Sequence, residues 1–197
     1  MKLVLCSASP RRKKFLSDLG LAFEVVSPDV DEARLAGESP VALAERLARK
    51  KVAAGAEAMK GKVDGPFVAI AADTVVAIGE VDLAKPVDHA DAARMMRLLS
   101  GTLHEVISGV AVMAADGSLR SQAVRTQVKF RALTEAEVWW HARSGDGDDK
   151  AGAYALQGLA ASFIERLDGS FTNVIGLPLT EAIVLLQAAG VRMPWEA

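Results

Sequence analysis

The chain has 197 residues, with 23 Lys plus Arg against 25 Asp plus Glu for a formal net charge of −2, 51% apolar residues and one cysteine. That balance argues against a nucleic-acid polymer gripped through a broad basic face, and a lone cysteine excludes an intrachain disulfide or a multi-cysteine zinc cage. The longest apolar run, Phe67–Ile78, is too short to cross a bilayer and holds Asp73 inside it, so a membrane is not expected either.

In chain order, Leu3–Cys6 reads as a buried strand, followed by a Ser-Ala-Ser-Pro turn and a helix from Pro10 to Leu19. Ser9 fits its N-cap and Pro10 its first position, where a missing N–H costs little. Phe23–Val26 reads as a second strand, Ser27–Glu38 as a polar loop, and Ser39-Pro40 as a repeat of the same helix start, running to Met59. Val68–Ile78 is a β-branched run that fits one long strand or two, with Gly79-Glu80 turning into Val81–Ala84. Asp88 caps a helix to Leu99 whose core side is expected to be Met95, Met96, Leu98 and Leu99. Val106–Ala114 and Leu119–Arg131 read as a hairpin through Ala115-Asp116-Gly117-Ser118. Thr134 with Glu137 forms a capping box for the Trp139-Trp140 helix. Ser162–Leu167 reads as a strand and Leu179–Ala189 as a final helix. The expectation is a mixed α/β fold, a twisted sheet flanked by helices, in a single domain over residues 1–197. Met1-Lys2 leads directly into a strand with no long apolar stretch, so no signal peptide is expected and the cytoplasm is the expected compartment.

The sharpest functional clues are charges at positions where periodicity asks for apolar groups. On the helix from Pro40, with Leu43 at zero and about 100° per residue, Leu47 lies near ~40° and Ala44 near ~100°. Lys51 lies near ~80°, in the middle of that apolar arc, whereas Lys50 lies at its edge. On the first helix Arg12 falls among Phe15, Leu16 and Leu19, with Arg11 at the margin. Long side chains near helix ends often snorkel to water; two lining one core point instead to an anion. Ser7, Ser9, the free N–H groups of the helix start and two guanidinium forks are the parts of a phosphate site. Asp73 interrupts the apolar run, and aspartate is rarely buried without a partner. It marks either a turn between two short strands or a carboxylate facing Lys51, Lys85 and Arg12. The second arrangement, with a metal ion, suits phosphoryl chemistry on a polyphosphate. Asp29, Asp31 and Glu32 form an acidic cluster that either holds Mg2+ or is a solvated loop. Cys6 reads as a core residue, and His89, His104 and His141 lack ligand spacing.

Taken in order, these segments resemble the Maf family of nucleoside triphosphate pyrophosphatases, related in fold to the inosine triphosphate pyrophosphatases. The resemblance rests on Cys6-Ser7-Ala8-Ser9-Pro10-Arg11-Arg12, Val30-Asp31-Glu32, Ala71-Ala72-Asp73-Thr74-Val75-Val76 and Lys85-Pro86. It continues through Ser100-Gly101 with His104, Asp149-Lys150-Ala151-Gly152-Ala153-Tyr154 to Gln157-Gly158, and Gly169-Ser170 with Asn173 to Gly176-Leu177-Pro178. It implies a bilobed molecule with a central cleft and hydrolysis of the α–β phosphate bond of a nucleoside triphosphate. By position, Asp73 would activate water or hold the metal, and Glu32 would be a ligand of a divalent cation, Mg2+ or Mn2+. Ser7, Arg11, Arg12, Lys51 and Lys85 would bind the triphosphate. Arg11, Thr74 and Gln157 would set specificity, and Thr74 with Gln157 resembles the dTTP/UTP subfamily. A Gln amide offers the donor and acceptor that a pyrimidine edge requires. Ser108 stands where threonine is common in the family. The alternatives carried forward are 7-methyl-GTP hydrolysis and a nucleotide-sensing interaction protein affecting septum formation. A homodimer using the Trp139-Trp140 helix is a further option that the resemblance raises.

Overall fold

The computed structural model describes residues 1–196. Its seven strands are β1 (Lys2–Cys6), β2 (Glu24–Val26), β3 (Phe67–Ile78), β4 (Val81–Leu83), β5 (Leu103–Met113), β6 (Leu119–Phe130) and β7 (Ile164–Asp168). The helices are α1 (Pro10–Asp18), α2 (Pro40–Met59), α3 (His89–Leu99), α4 (Glu135–Ser144), α5 (Phe171–Ile175) and α6 (Leu179–Ala188). One mixed sheet runs β2-β1-β3-β5-β6-β7, with β4 added to β3. β1 is parallel to β2 and β3, and every other pairing is antiparallel.

The Val68–Ile78 run is one unbroken strand, not two, because β5 pairs with it continuously from Ala69 to Ala77. Its other edge is shared. β1 covers Phe67–Ile70 and β4 covers Val76–Ile78, which leaves a window over residues 71–75 where no strand lies alongside. Side chains alternate across a strand, so the two sheet faces acquire different layers. α2 lies on one, packing Ala48, Val52 and Ala56 against Val4, Cys6, Ala69 and Ala71. On the other, α1 and α6 pack through Leu16, Ala182 and Leu186 against Leu3, Leu5, Val68, Ile70 and Val110. Further along that face α3 and α4 pack through Met96, Leu99 and Val138 against Val76, Val106 and Phe130. The cleft between these two packed lobes opens onto the β3 window.

Two glycines allow the α2 layer to sit close. A Cβ on Gly55 would come within 2.3 Å of Cys6 Sγ, and one on Gly109, the cross-strand partner of Asp73, within 2.2 Å of the Ala44 carbonyl oxygen. Backbone therefore meets sheet directly beside Asp73. Two local expectations are corrected. Leu98 is 46% exposed; the core stripe of α3 is Ala92, Ala93, Met95, Met96 and Leu99, and at 100° per residue Leu98 falls on the far side of it. Ser9 occupies the N-cap of α1 but its side chain makes no cap bond, whereas Ser39, Asp88 and Thr134 cap theirs, Thr134 with the full box to Glu137. Helix α5 was not expected. It is one short turn of helix whose ends are fixed by Ser170 and by the left-handed Gly176.

Candidate active site

A cleft of about 830 Å³, within the usual size of small-ligand sites, opens onto the β3 window. Every residue singled out above as a site candidate (Ser7, Arg11, Arg12, Glu32, Lys51, Asp73, Thr74, Lys85 and Gln157) lines it. Asp29 and Asp31 are exposed and do not reach it. Asp31 instead accepts the Ala33 N–H, so of the acidic cluster only Glu32 lines the cleft.

On the α2 face, Asp73 is buried at 8% exposure. The helical period that placed Lys51 inward is realised: Lys51 Nζ lies 2.5 Å from Asp73 Oδ1 and 2.6 Å from Glu32 Oε1. Glu32 arrives from a loop with no regular structure, so its position needs anchors. Arg46 of α2 grips Glu38 through Nε at 2.6 Å and Nη2 at 2.8 Å, and bonds the Ala33 carbonyl. This fork holds the Glu38 carboxyl down at about 2. Arg34 ties the same loop to β4 through the Glu80 carbonyl and Asp82, the latter at 2.6 Å. Two carboxylates thus converge on one cationic atom. That donor set suits a cation such as Mg2+, which uses one or two carboxylates and completes its shell with water and phosphate oxygens.

On the opposite face, Arg12 commits three N–H groups to protein: Nε to the Gly176 carbonyl at 2.7 Å, Nη1 to Ser7 Oγ and Nη2 to Thr74 Oγ1, both at 3.2 Å. Burial pulls its pKa down while Asp73 pulls it up. Ser7 Oγ also accepts the Ser9 N–H at 3.2 Å. A hydroxyl has one hydrogen and two lone pairs; with both pairs occupied, Ser7 faces the cleft as a donor. Behind Thr74 lies a buried chain through Ser108, Asn173 and Thr126. Sequence reading had given none of these three a role. Their bonds join residues dozens of positions apart; the available signals were Asn173 within the Gly169–Pro178 motif and Ser108 at a position where threonine is common.

Around the rim, Arg11 and Lys85 make no ion pair with protein among the described residues, and Lys150 pairs with its neighbour Asp149 at 2.5 Å. Lys150 and Tyr154, quoted within a motif but given no role, also line the cleft. Tyr154 is fixed from behind by His104 Nε2, 2.8 Å from its hydroxyl. Burial lowers the His104 pKa to about 4, so the ring is neutral there. Cys6 is buried with its pKa raised to about 12 by desolvation, which suits the core role expected of it.

Residues 2–189 match the family described as Maf-like protein. The chain belongs to the Maf family. Among its Maf relatives, a dTTP/UTP pyrophosphatase of Hahella chejuensis is 44% identical over 98% of this chain and 94% of that protein. Another of the same name from Hyphomonas neptunium is 47% identical over 96% of each chain. A third, from Anaeromyxobacter dehalogenans, is 46% identical over 99% of this chain and 97% of that protein. A solved structure, that of the Staphylococcus aureus Ham1 protein, covers 95% of this chain and 97% of its own at 13% identity and a TM-score of 0.47.

Proposed function

We propose that this Maf protein hydrolyses the α–β phosphoanhydride of pyrimidine nucleoside triphosphates, dTTP and UTP, releasing pyrophosphate and the monophosphate. The observation that carries the reading is the convergence of Glu32, Lys51 and Asp73 in a cleft whose rim holds Arg11 and Lys85 uncommitted. Near full-length identity to proteins named dTTP/UTP pyrophosphatase supports it. Those names favour neither 7-methyl-GTP hydrolysis nor a purely sensing role.

In this mechanism Arg11 and Lys85 bind phosphate oxygens as free cations, and Ser7 donates its hydroxyl hydrogen to another. Arg12 keeps one N–H on each terminal nitrogen for the same purpose while holding Ser7 and Thr74 in place. Lys51 orients Asp73 by occupying Oδ1, so that Oδ2 takes the proton of a water whose oxygen attacks the α–β anhydride. Glu32 and Asp73 are the residues that would hold a divalent cation, Mg2+ or Mn2+, which would neutralise the negative charge that builds on the phosphates. Gln157 is the cleft residue whose amide offers both a donor and an acceptor to a pyrimidine edge.

The test is pyrophosphate release from a panel of dTTP, UTP, CTP, GTP and 7-methyl-GTP with Mg2+ or Mn2+. Fast release from dTTP and UTP alone supports the reading. Preference for 7-methyl-GTP overturns the substrate assignment, and release from none of them overturns the enzymatic one.

A further inference from the structure

The buried chain behind Thr74 fixes the direction of every hydrogen bond in it. Its ends are backbone groups whose roles admit no exchange. The Ser108 N–H donates to Asn173 Oδ1 at 3.1 Å, and Asn173 Nδ2 donates to the Val106 carbonyl at 2.9 Å, so the Asn173 amide has one orientation. Its other hydrogen goes to Thr126 Oγ1 at 2.9 Å. Thr126 Oγ1 also accepts the Ser170 N–H and donates to the Ser170 carbonyl. Ser108 Oγ lies 3.0 Å from the Asn173 carbonyl oxygen, which can only accept. The Ser108 hydrogen therefore points there, and across the 2.8 Å contact between Thr74 Oγ1 and Ser108 Oγ it is Thr74 that donates. The opposite polarity would set two lone pairs against each other at 3.0 Å between Ser108 Oγ and the Asn173 carbonyl oxygen. Ser108 and Asn173 are fully buried, so no water relaxes the pattern.

Thr74 Oγ1 has thus given away its hydrogen and one lone pair, the latter to Arg12 Nη2. Only one lone pair remains toward the cleft. We propose that Ser108 and Asn173 are positioning residues that lock Thr74 as an acceptor, and that the group it reads is the ring N3–H of a uracil or thymine base. This rests on the pyrimidine triphosphate reading of the cleft. A phosphate oxygen carries no hydrogen to offer. A ribose hydroxyl rotates to match either polarity, so a locked acceptor gains nothing in selectivity against it. A ring nitrogen has a fixed role: uracil and thymine present N–H there, whereas cytosine presents a lone pair. Ser7, on the same cleft, has the reverse commitment, with both lone pairs used and its hydrogen free. One hydroxyl is set for phosphate oxygen and the other for a base N–H.

The test is the ratio of kcat/KM for UTP over CTP in the parent enzyme, Ser108→Ala, Ser108→Thr and Thr74→Val. The parent favours UTP. Ser108→Ala frees the Thr74 hydrogen to turn toward the cleft, so the ratio falls by about tenfold or more, the scale on which unpaired polar groups discriminate. Ser108→Thr, which keeps the hydroxyl, retains the ratio, and Thr74→Val collapses it without touching the buried chain beyond Ser108. A loss of activity shared equally by both substrates is what a merely structural role gives, and it overturns the proposal. So does an unchanged ratio, or a parent that loses as much on 3′-deoxy-UTP as on CTP. A parent that hydrolyses neither UTP nor dTTP overturns the pyrimidine reading first and this proposal with it.

Discussion

Asp73 and Thr74 are neighbours in sequence and face opposite layers of the same sheet. The Asp73 side is built from charges: two carboxylates and an ammonium within 2.6 Å, carried on three separate segments. The Thr74 side carries one cation, Arg12, and is otherwise built from neutral groups, closed in a chain where nearly every donor and acceptor is used. Charge acts over distance and tolerates small displacements, so it suits a centre that must exchange a proton and respond to substrate. Short neutral hydrogen bonds weaken steeply with geometry, so they suit a surface that reads shape. One strand serves chemistry and selection by turning alternate residues to each.

Removing the charge at Asp73 is the hardest blow to this contrast. Asp73→Asn is expected to lower pyrophosphate release by about a thousandfold, within the range for a lost general base, while nucleotide binding measured by calorimetry survives. Retained turnover would move the chemistry off the charged face. Next is Gly109→Ala, which drives a methyl into the Ala44 carbonyl. We expect a loss of about 3 kcal/mol in urea unfolding, the cost of overpacking, with turnover falling further as α2 withdraws Lys51 from Asp73.

The segments legible beforehand were those where a regular element carries the signal. The period of α2 placed Lys51 inward, and an aspartate within an apolar strand marked Asp73. Ser108 and Asn173 stayed hidden because a serine in a strand and an asparagine in a loop are ordinary until tertiary pairing brings residues 108 and 173 into contact. Leu98 misled because it continues an apolar run that the helix turns outward. Glu32 was left between ligand and solvated loop because an irregular segment has no period to read; Arg34 and Arg46 are what give it a place.

Smaller effects sharpen the comparison. His104 is buried neutral behind Tyr154 with its pKa lowered from 6.5 to about 4. The unfolded chain binds that proton first, so the contribution to stability is fully present above pH 6.5 and is lost as pH falls toward 4, by at most about 3 kcal/mol. His104→Gln should flatten that part of the urea-stability profile relative to the parent, and parallel profiles would remove His104 from the account. Smallest is Arg34→Ala. Its pair with Asp82 is about one-third exposed on each side, so thermal unfolding should shift by less than about 1 kcal/mol. Turnover should fall more than stability does, because the loop that carries Glu32 loses its tie to β4.

The window in β3 has a further consequence. A stretch of strand with one open edge is a template on which another extended chain can hydrogen-bond. In this protein the charged side chains of Lys51, Asp73, Arg12 and Lys85 line the opening, and an incoming backbone would have to strip water from all of them. Ala71, Ala72, Asp73 and Val75 are themselves buried, so the gap in the ladder is a recess in the cleft rather than an exposed edge, and the charges that suit the cleft to a triphosphate make pairing there costlier still.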